Sequence, residues 1–208
     1  LHMSALQSAM NELSNHDHSR FLTRTNHKVG RISYAGAEAA SEGVNPAVMR
    51  EAVAIQMTWP GAPTVYYGDE AGLCGFTDPD NRRTYPWGRE DYQMIDFHRV
   101  MIRIHKNYEV LKTGSLGFLW NDYQGLCYAR FSRKEQMIVI INNQAESRDV
   151  EIQLWQAGIS RLADTKLKRI VVTSAEGFTE EPEEYTATAG ILKITMPAFG
   201  AMVLHHKN

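Results

Sequence analysis

The sequence predicts an α+β protein in which two strand–helix units occupy the chain up to residue 114 and an antiparallel β-sandwich follows from residue 115. Each of two short apolar segments is followed by polar residues and then by a helical pattern. The second helical pattern extends over residues 92–112. Short alternating segments separated by turn residues occupy the rest of the chain. With 208 residues, 43% of them hydrophobic, the chain can form one large core or two small ones.

Composition argues against several classes of function. The formal net charge of −2 provides no basic surface for nucleic acid or an anionic membrane, and no apolar run approaches ~18 residues, so neither partner is predicted. Cys74 and Cys127 are too few for a disulfide framework and fit no metal spacing, so we expect both to pack as small apolar side chains. Residues 1–3 (LHM) are interpreted as a cloning remnant, and no signal peptide is visible, which leaves the compartment open.

The first unit ends in a dense run of polar residues. Residues 5–22 predict a helical turn, a short strand and then a loop in which Asn15, His16, Asp17 and His18 stand in a row. Polar residues directly after a buried strand are typical of active sites at the carboxyl ends of strands in α/β proteins. For this segment alone, a surface turn is an equally good interpretation. Residues 23–45 predict a loop with one short helix.

The second unit begins with a helix over residues 46–58, for which Asn45 is the expected N-cap and Pro46 the first helical residue. Its expected inward residues are Val48, Ala52, Ile55 and Met57. Proline and glycine then turn the chain, and residues 64–67 predict a second strand that ends at the carboxylates Asp69 and Glu70.

A long loop over residues 74–90 leads to the clearest helix, which is predicted over residues 92–112. Its expected inward residues are Met94, Phe97, Val100, Met101, Ile104 and Leu111. The strands of the sandwich are predicted at residues 117–120, 126–132, 136–142, 149–154, 169–173, 191–196 and 201–205. Residues 132–135 predict a hairpin turn, and residues 176–184 predict an acidic, exposed loop.

The polar residues that leave the two predicted strands form the candidate site. They are His16, Asp17, Asp69, Glu70, Asp78, Asp80, Arg82 and Arg83. Such side chains hydrogen-bond sugar hydroxyls, and a carboxylate can offset positive charge at an anomeric carbon. An ion-paired surface loop and a metal site are the competing interpretations. No metal ligand is predicted, because the side chains of the adjacent His16, Asp17 and His18 diverge.

Three motifs, in this order, carry a resemblance to a known family. Residues 14–21 read SNHDHSRF, residues 61–72 read GAPTVYYGDEAG, and residues 78–83 read DPDNRR and are followed by Pro86 and Trp87. Together they resemble the α-amylase superfamily (glycoside hydrolase family 13), in particular its neopullulanase and cyclomaltodextrinase branch. The resemblance implies that residues 4–114 are the last two βα units of a (β/α)8 TIM barrel and that residues 115–208 are the antiparallel β-sandwich domain that follows it.

The resemblance also implies roles for four residues. Asp17 would be the third catalytic carboxylate of a retaining α-glucan hydrolase, which stabilises the oxocarbenium-like transition state. His16 would hydrogen-bond the sugar in the subsite where cleavage occurs, and Asp78 and Arg82 would line a neighbouring subsite. The substrate would be an α-glucan oligosaccharide with α-1,4 and also α-1,6 linkages. No cofactor is predicted, and calcium is left open for a full-length parent protein.

The family's nucleophilic aspartate and general-acid glutamate both precede the His-Asp motif, and this chain has too few residues before His16 to contain them. A retaining glycosidase needs two carboxyl groups, so we expect the 208-residue chain alone to be inactive. We also expect two strands taken from a barrel to expose edges, so the chain could form homo-oligomers through them or through the sandwich. An α-glucanotransferase and a non-catalytic carbohydrate-binding sandwich remain the alternative functions.

Overall fold

The structure, a computed structural model, describes residues 2–208 and combines helices with sheets. The helices are α1 (Met3–Gln7), α2 (Phe21–Arg24), α3 (Ile32–Ala35), α4 (Pro46–Thr58), α5 (Tyr92–Asn107) and α6 (Glu109–Thr113). Short 3₁₀ turns at Glu38–Ala40, Asp69–Ala71, Asp80–Arg82 and Trp155–Ala157 complete the helical elements. Within the described residues no helix is long and apolar enough to cross a membrane.

The strands form one parallel pair and two antiparallel sheets. They are β1 (Met10–Glu12), β2 (Ala62–Thr64), β3 (Ser115–Asn121), β4 (Gly125–Phe131), β5 (Glu135–Asn142), β6 (Arg148–Gln153), β7 (Thr165–Thr173), β8 (Phe178–Thr179), β9 (Glu184–Ala187), β10 (Ile191–Met196) and β11 (Gly200–Lys207). Strands β1 and β2 pair in parallel. The large sheet has the order β3-β4-β5-β11-β7-β8, with β9 also on β7, and the small sheet pairs β6 with β10.

The large sheet is the middle of three layers. Its side chains alternate between two cores, as the period of two along a strand requires. One face packs on the helices through Tyr128, Met137, Val139, Ile141, Val171, Ala201 and Val203. The other face packs on the small sheet through Cys127, Ala129, Ile138, Ile140, Val172, Met202 and Leu204. The sandwich therefore has a core of its own, but its helix-facing side is equally apolar and is covered by the first half of the chain.

The C-terminal end of α4 is attached to its neighbours by side chains that bind its last carbonyl groups, which have no partner inside the helix. His105 Nδ1 lies 2.8 Å from Met57 O. Arg130 Nη1 donates to Thr58 O at 3.0 Å. The same nitrogen reaches Leu111 O at 2.7 Å, and Nη2 reaches Gly114 O at 2.9 Å. Arg130, which is fully buried in β4, therefore joins α4, α6 and the sheet.

Several predicted elements need correction. The second strand is Ala62–Thr64, not residues 64–67, because its partner β1 ends at Glu12, opposite Thr64. No other strand among residues 2–208 pairs with β2. The helix predicted over residues 92–112 is two helices, because Tyr108 is extended, with φ −108° and ψ 113°. The segment predicted as an exposed loop at residues 176–184 contains β8, whose Phe178 ring packs 5.1 Å from that of Phe97.

The inward face of α4 was predicted only in part. Ala52 and Met57 are buried as expected, but Val48 and Ile55 are half-buried while Met49 and Val53 are fully buried. The reason is that α4 lies between α5 and the large sheet, so most of its circumference is covered. The Asn45 cap is confirmed, since its Oδ1 accepts from the N–H groups of Ala47 and Val48. Cys74 and Cys127 are buried free thiols, as expected.

Glu51 is a carboxyl group inside this core. It is 3% exposed, and its Oε1 has no hydrogen-bond partner within residues 2–208. Burial raises its pKa to about 8. The folded state therefore holds Glu51 in its protonated form, whereas the unfolded chain ionises it near its ordinary pKa of about 4.5.

We expect this group to make the protein less stable as pH rises. A carboxyl whose folded pKa is raised contributes no penalty below its unfolded pKa, and the penalty grows from about pH 4.5 to about pH 8. The full loss is on the order of 3–5 kcal/mol. Urea unfolding of Glu51→Gln over this pH range should lack that component, while Glu38→Gln at an exposed position should follow the parent chain. An identical pH dependence for Glu51→Gln and the parent chain would contradict the prediction.

Candidate active site

The loop after β1 is folded by one asparagine. Asn15 Oδ1 accepts hydrogen bonds from the backbone N–H groups of Asp17 at 2.9 Å and His18 at 3.2 Å. Its Nδ2 donates to Glu12 Oε1 at 2.6 Å. Asparagine favours such turns because its short side chain reaches the backbone two and three residues on. The turn leaves the His16 and Asp17 side chains 59% and 67% exposed.

A second loop, residues 77–83, is bonded to the first. Asn81 is fully buried, and its Nδ2 donates to Asn15 O at 3.2 Å and to His18 O at 2.7 Å. Thr77 Oγ1 donates to Asp17 O at 2.9 Å. Side chains of the second loop therefore fix the backbone that carries Asp17 by hydrogen bonds to its carbonyl groups.

Arg20 connects both loops to the end of β2. Its Nη1 lies 3.0 Å from Asp69 Oδ1, and both side chains are almost completely buried. The guanidinium also donates to Tyr67 O at 2.8 Å and to Asn81 O at 2.9 Å. It lies 4.5 Å from the ring centroid of Tyr66. Burial raises the pKa of Asp69, while hydrogen bonds from Ser14 and the charge of Arg20 oppose that rise.

Four of the residues considered as candidate site groups have internal partners. Asp80 Oδ2 accepts from Phe76 N at 2.8 Å, and the same carboxylate accepts two hydrogen bonds from Arg83. Glu70 Oε2 accepts from Gly68 N at 2.9 Å. These contacts, together with the burial of Asp69, show that Asp69, Glu70, Asp80 and Arg83 build the loops.

The four predicted site residues lie on the open side of these two loops. His16 Nε2 is 3.3 Å from Asp17 Oδ1, and Arg82 Nε is 2.5 Å from Asp78 Oδ1. The hydrogen bond to Asp78 raises the pKa of Arg82. All four side chains are exposed and can reach a ligand in solution.

This arrangement can bind and polarise a ligand. The exposed Asp17 carboxylate can accept hydrogen bonds from hydroxyl groups and can stabilise developing positive charge. Arg82 adds donors for hydroxyl or carbonyl oxygens. Residues 2–208 contain no group of three or more His, Cys, Asp or Glu side chains that could hold a metal ion. This surface therefore presents two exposed carboxylates, Asp17 beside His16 and Asp78 paired with Arg82.

The importance of Arg20 and Asn81 was not evident from the sequence. Both stand inside quoted motifs, but neither was assigned a role, since a polar residue in a polar loop is ordinarily solvated. Their burial is the decisive feature, and it depends on partners 49 and 63 residues away. The one local signal was the Asn15 turn, because asparagine close to a strand end favours a side-chain-to-backbone turn.

Comparison with protein-family models identifies the family of this chain. Residues 2–160 match the family model described as the alpha amylase catalytic domain. The chain belongs to this family. The resemblance read from the three motifs is thereby confirmed, and the match runs past residue 114 into the large sheet.

Individual relatives agree with this assignment. Neopullulanase 2 from Thermoactinomyces vulgaris is 31% identical over 204 residues, which cover 96% of this chain and 30% of that protein. An amylopullulanase from Thermoanaerobacterium thermosulfurigenes is 31% identical over 213 residues, which cover 97% of this chain and 11% of that protein. The α-amylase family chain thus spans less than a third of the length of these relatives.

Solved structures show the same fold. The crystal structure of an α-amylase from Geobacillus thermoleovorans in complex with acarbose aligns with a TM-score of 0.74 at 20% identity, and the alignment covers 97% of this chain and 39% of that one. A debranching enzyme from Nostoc punctiforme aligns with a TM-score of 0.68 at 25% identity, covering 98% of this chain and 36% of that one. Nearly the whole chain is therefore folded like a part of larger α-amylase family enzymes.

Proposed function

We propose that this chain forms the C-terminal part of a retaining α-glucan hydrolase, with residues 4–114 contributing the last two βα units of the catalytic barrel and residues 115–208 the β-sandwich that follows. The parallel pairing of β1 and β2 supports the barrel part of the proposal, since each strand is followed by a helix, α4 or α5, that packs in the same core. The barrel positions catalytic groups at the carboxyl ends of its strands, which is where the two loops lie.

The observation that carries the proposed chemistry is the exposed Asp17 carboxylate on a backbone fixed by Asn15, Thr77 and Asn81. In the proposed reaction Asp17 stabilises the positive charge that develops at the anomeric carbon and orients the sugar hydroxyls. His16 hydrogen-bonds the same sugar ring. Asp78 and Arg82, which pair with each other, bind the neighbouring sugar unit.

Hydrolysis of α-1,4 bonds, and also of α-1,6 bonds, is favoured over glucanosyl transfer because the curated relatives are named neopullulanase, cyclomaltodextrinase and amylopullulanase. Both reactions share a covalent glycosyl-enzyme and differ only in whether water or a sugar attacks it. The nucleophile and the general acid of that mechanism come from the part of the barrel that this chain does not span. We therefore expect the 208-residue chain alone to release no sugar from maltooligosaccharides or cyclodextrins.

The decisive experiment joins the chain to the segment of neopullulanase 2 that precedes the matched region, as one fused polypeptide. In this chimera Asp17→Asn should lower kcat/KM for maltooligosaccharides by at least about 10²-fold, because a neutral amide cannot stabilise the cationic transition state. Asp149→Asn, on the exposed face of the small sheet, is the matched control and should leave the rate unchanged. Product release would be followed as reducing ends.

Three results would count against the proposal: a folded chimera without activity, an active Asp17→Asn chimera, or hydrolysis by the isolated chain. Far-UV circular dichroism and thermal melting of each variant separate a lost catalytic group from a lost fold.

A further inference from the structure

We propose that Glu12 is a positioning residue for the proposed reaction. Its carboxylate orients the side chain of Asn15, and through Asn15 it sets the direction in which the backbone presents the Asp17 carboxylate. This inference rests on the proposed function for the role of Asp17. It adds a residue that stands outside the three motifs and that acts on Asp17 without touching the substrate.

Glu12 stands at a place where a charge needs a reason. It is the last residue of β1, opposite Thr64, and it is half-buried. Among residues 2–208 it forms no salt bridge with a basic side chain. Partial burial of a carboxylate without a cation nearby is costly unless the oxygens accept hydrogen bonds. The role of Glu12 must therefore be sought in the hydrogen bond that its side chain accepts.

That bond joins the strand to the turn that follows it. Glu12 Oε1 accepts from Asn15 Nδ2 at 2.6 Å. Hydrogen bonds to an ionised acceptor are shorter than those between neutral groups and roughly twice as strong. The pairing of β1 with β2 fixes the strand end itself, so Glu12 gives the Asn15 side chain a fixed point outside its own turn.

The Asn15 amide is used at both ends. Its Oδ1 accepts from the backbone N–H groups of Asp17 and His18, while its Nδ2 donates to Glu12. A reversed amide would turn its NH₂ group toward two N–H donors and its oxygen toward the Glu12 carboxylate, and all three contacts would be unfavourable. One orientation alone satisfies the three bonds, and Glu12 holds the end of the amide that faces away from Asp17.

The direction of the Asp17 carboxylate depends on this backbone because few contacts hold the side chain itself. It is 67% exposed, and its ion-pair partner within the described residues is His16, which is 59% exposed. The peptide groups on the two sides of Asp17 are fixed instead. Asn15 binds the N–H of Asp17, and Thr77 binds its carbonyl oxygen at 2.9 Å. A displacement of about 1 Å in a reacting group can cost on the order of 10²-fold in rate.

Two other roles for Glu12 make different demands on its side chain. Direct stabilisation of positive charge on the sugar requires the negative charge. A contribution to the stability of β1 alone requires no particular bond to Asn15. Positioning requires an acceptor oxygen within reach of Asn15 Nδ2, whether charged or neutral. Glu12→Gln keeps the acceptor and removes the charge, whereas Glu12→Leu removes both, so the two variants separate these roles.

Hydrogen exchange of backbone amides, measured by NMR on the 208-residue chain, tests the link without any activity. In Glu12→Leu the amides of Asp17 and His18 should exchange about tenfold faster than in the wild type, because Asn15 loses its fixed point. In Glu12→Gln they should stay within about threefold of the wild type. Glu146→Leu, in the exposed turn between β5 and β6, is the control and should exchange like the wild type.

The amide of Ile140 in the buried strand β5 reports whether each variant remains folded. Should Glu12→Leu unfold, Glu12→Thr replaces it, since threonine suits a strand but its hydroxyl is too short to reach Asn15. Unchanged exchange of Asp17 and His18 in a folded variant without the acceptor overturns the proposal.

The chimera with the neopullulanase 2 segment tests the consequence for the reaction. Glu12→Leu should lower kcat for maltooligosaccharides about tenfold and leave KM within about twofold, because the interaction lost is one made in the transition state. Glu12→Gln should recover most of kcat. Equal losses in both variants overturn the proposal, because they assign the effect to the charge. A wild-type chimera without activity contradicts the proposed function, whereas the exchange of Asp17 and His18 still decides whether Glu12 holds the turn.

Discussion

Replacing Arg130 with methionine is expected to lower the free energy of unfolding by about 3–5 kcal/mol. The side chain is fully buried and donates to three carbonyl oxygens, those of Thr58, Leu111 and Gly114. Methionine fills a similar volume but donates nothing, so these carbonyl groups lose their partner inside the core. Each such loss costs about 1–3 kcal/mol, partly offset because a buried charge is removed as well.

The effect should be large because the bonded carbonyl groups lie at the C-terminal ends of α4 and α6, where the helix dipole favours a positive charge. Burial lowers the pKa of Arg130 to about 10, so the guanidinium still carries its charge at neutral pH. A loss of this size is a substantial fraction of the total stability of a typical domain, which is about 5–15 kcal/mol. The helices and the large sheet should therefore separate more easily in the variant.

Urea unfolding followed by circular dichroism measures this change. Arg130→Lys keeps the charge but reaches fewer carbonyl groups, so its stability should lie between those of the wild type and Arg130→Met. Arg133→Met, in the exposed hairpin turn between β4 and β5, is the matched control and should change stability by less than about 0.5 kcal/mol. If Arg130→Met unfolds at the same urea concentration as the control, the three carbonyl contacts do not hold the layers together.

The second large effect is expected at Arg20. Its side chain is 0% exposed and its partner Asp69 is 4% exposed, at an Nη1–Oδ1 distance of 3.0 Å. Arg20→Met leaves the Asp69 carboxylate buried without a counter-charge, which should cost about 3–5 kcal/mol. The loops after β1 and β2 lose their common anchor at the same time, because Arg20 also donates to Tyr67 O and Asn81 O.

A pH series identifies the cause of this loss. Burial already raises the pKa of Asp69, and without Arg20 it should rise further. A carboxyl whose folded pKa lies above its unfolded value penalises folding as pH rises above the unfolded pKa, here 3.8. Arg20→Met should therefore be closest to the wild type in stability at or below pH 4 and furthest from it at neutral pH.

The double variant Arg20→Met/Asp69→Asn completes the cycle. It removes both charges and should be more stable than the sum of the two single changes predicts. Arg89→Met, at an exposed position of the loop over residues 74–90, serves as the control. Additive losses, or a pH-independent loss in Arg20→Met, would show that the buried ion pair is not the source of the effect.

Local patterns in the sequence predicted the elements well wherever the deciding contacts are close along the chain. The Asn45 cap with Pro46, the amphipathic period from Met94 to Ile104 and the alternation in β4, β5 and β11 are all present in the structure. The element ends were less predictable. The second strand ends at Thr64 because its partner strand ends at Glu12. The residue types at positions 64–67 do not predict this end, because it is set by the partner strand.

The candidate site divides in the same way. The sequence by itself determined that a carboxylate and a histidine follow the first strand and that an Asp-Arg pair follows the second. It also determined that these motifs together indicate the α-amylase family. Motif order and residue type are properties of the chain and need no folded structure. Only the tertiary structure decided which polar residues support the loops and which face solvent. Arg20, Asn81 and Arg130 are buried in contact with partners that lie 49, 63 and 72 residues away along the chain. Such contacts form only when distant segments pack together, so the sequence near each residue does not reveal them.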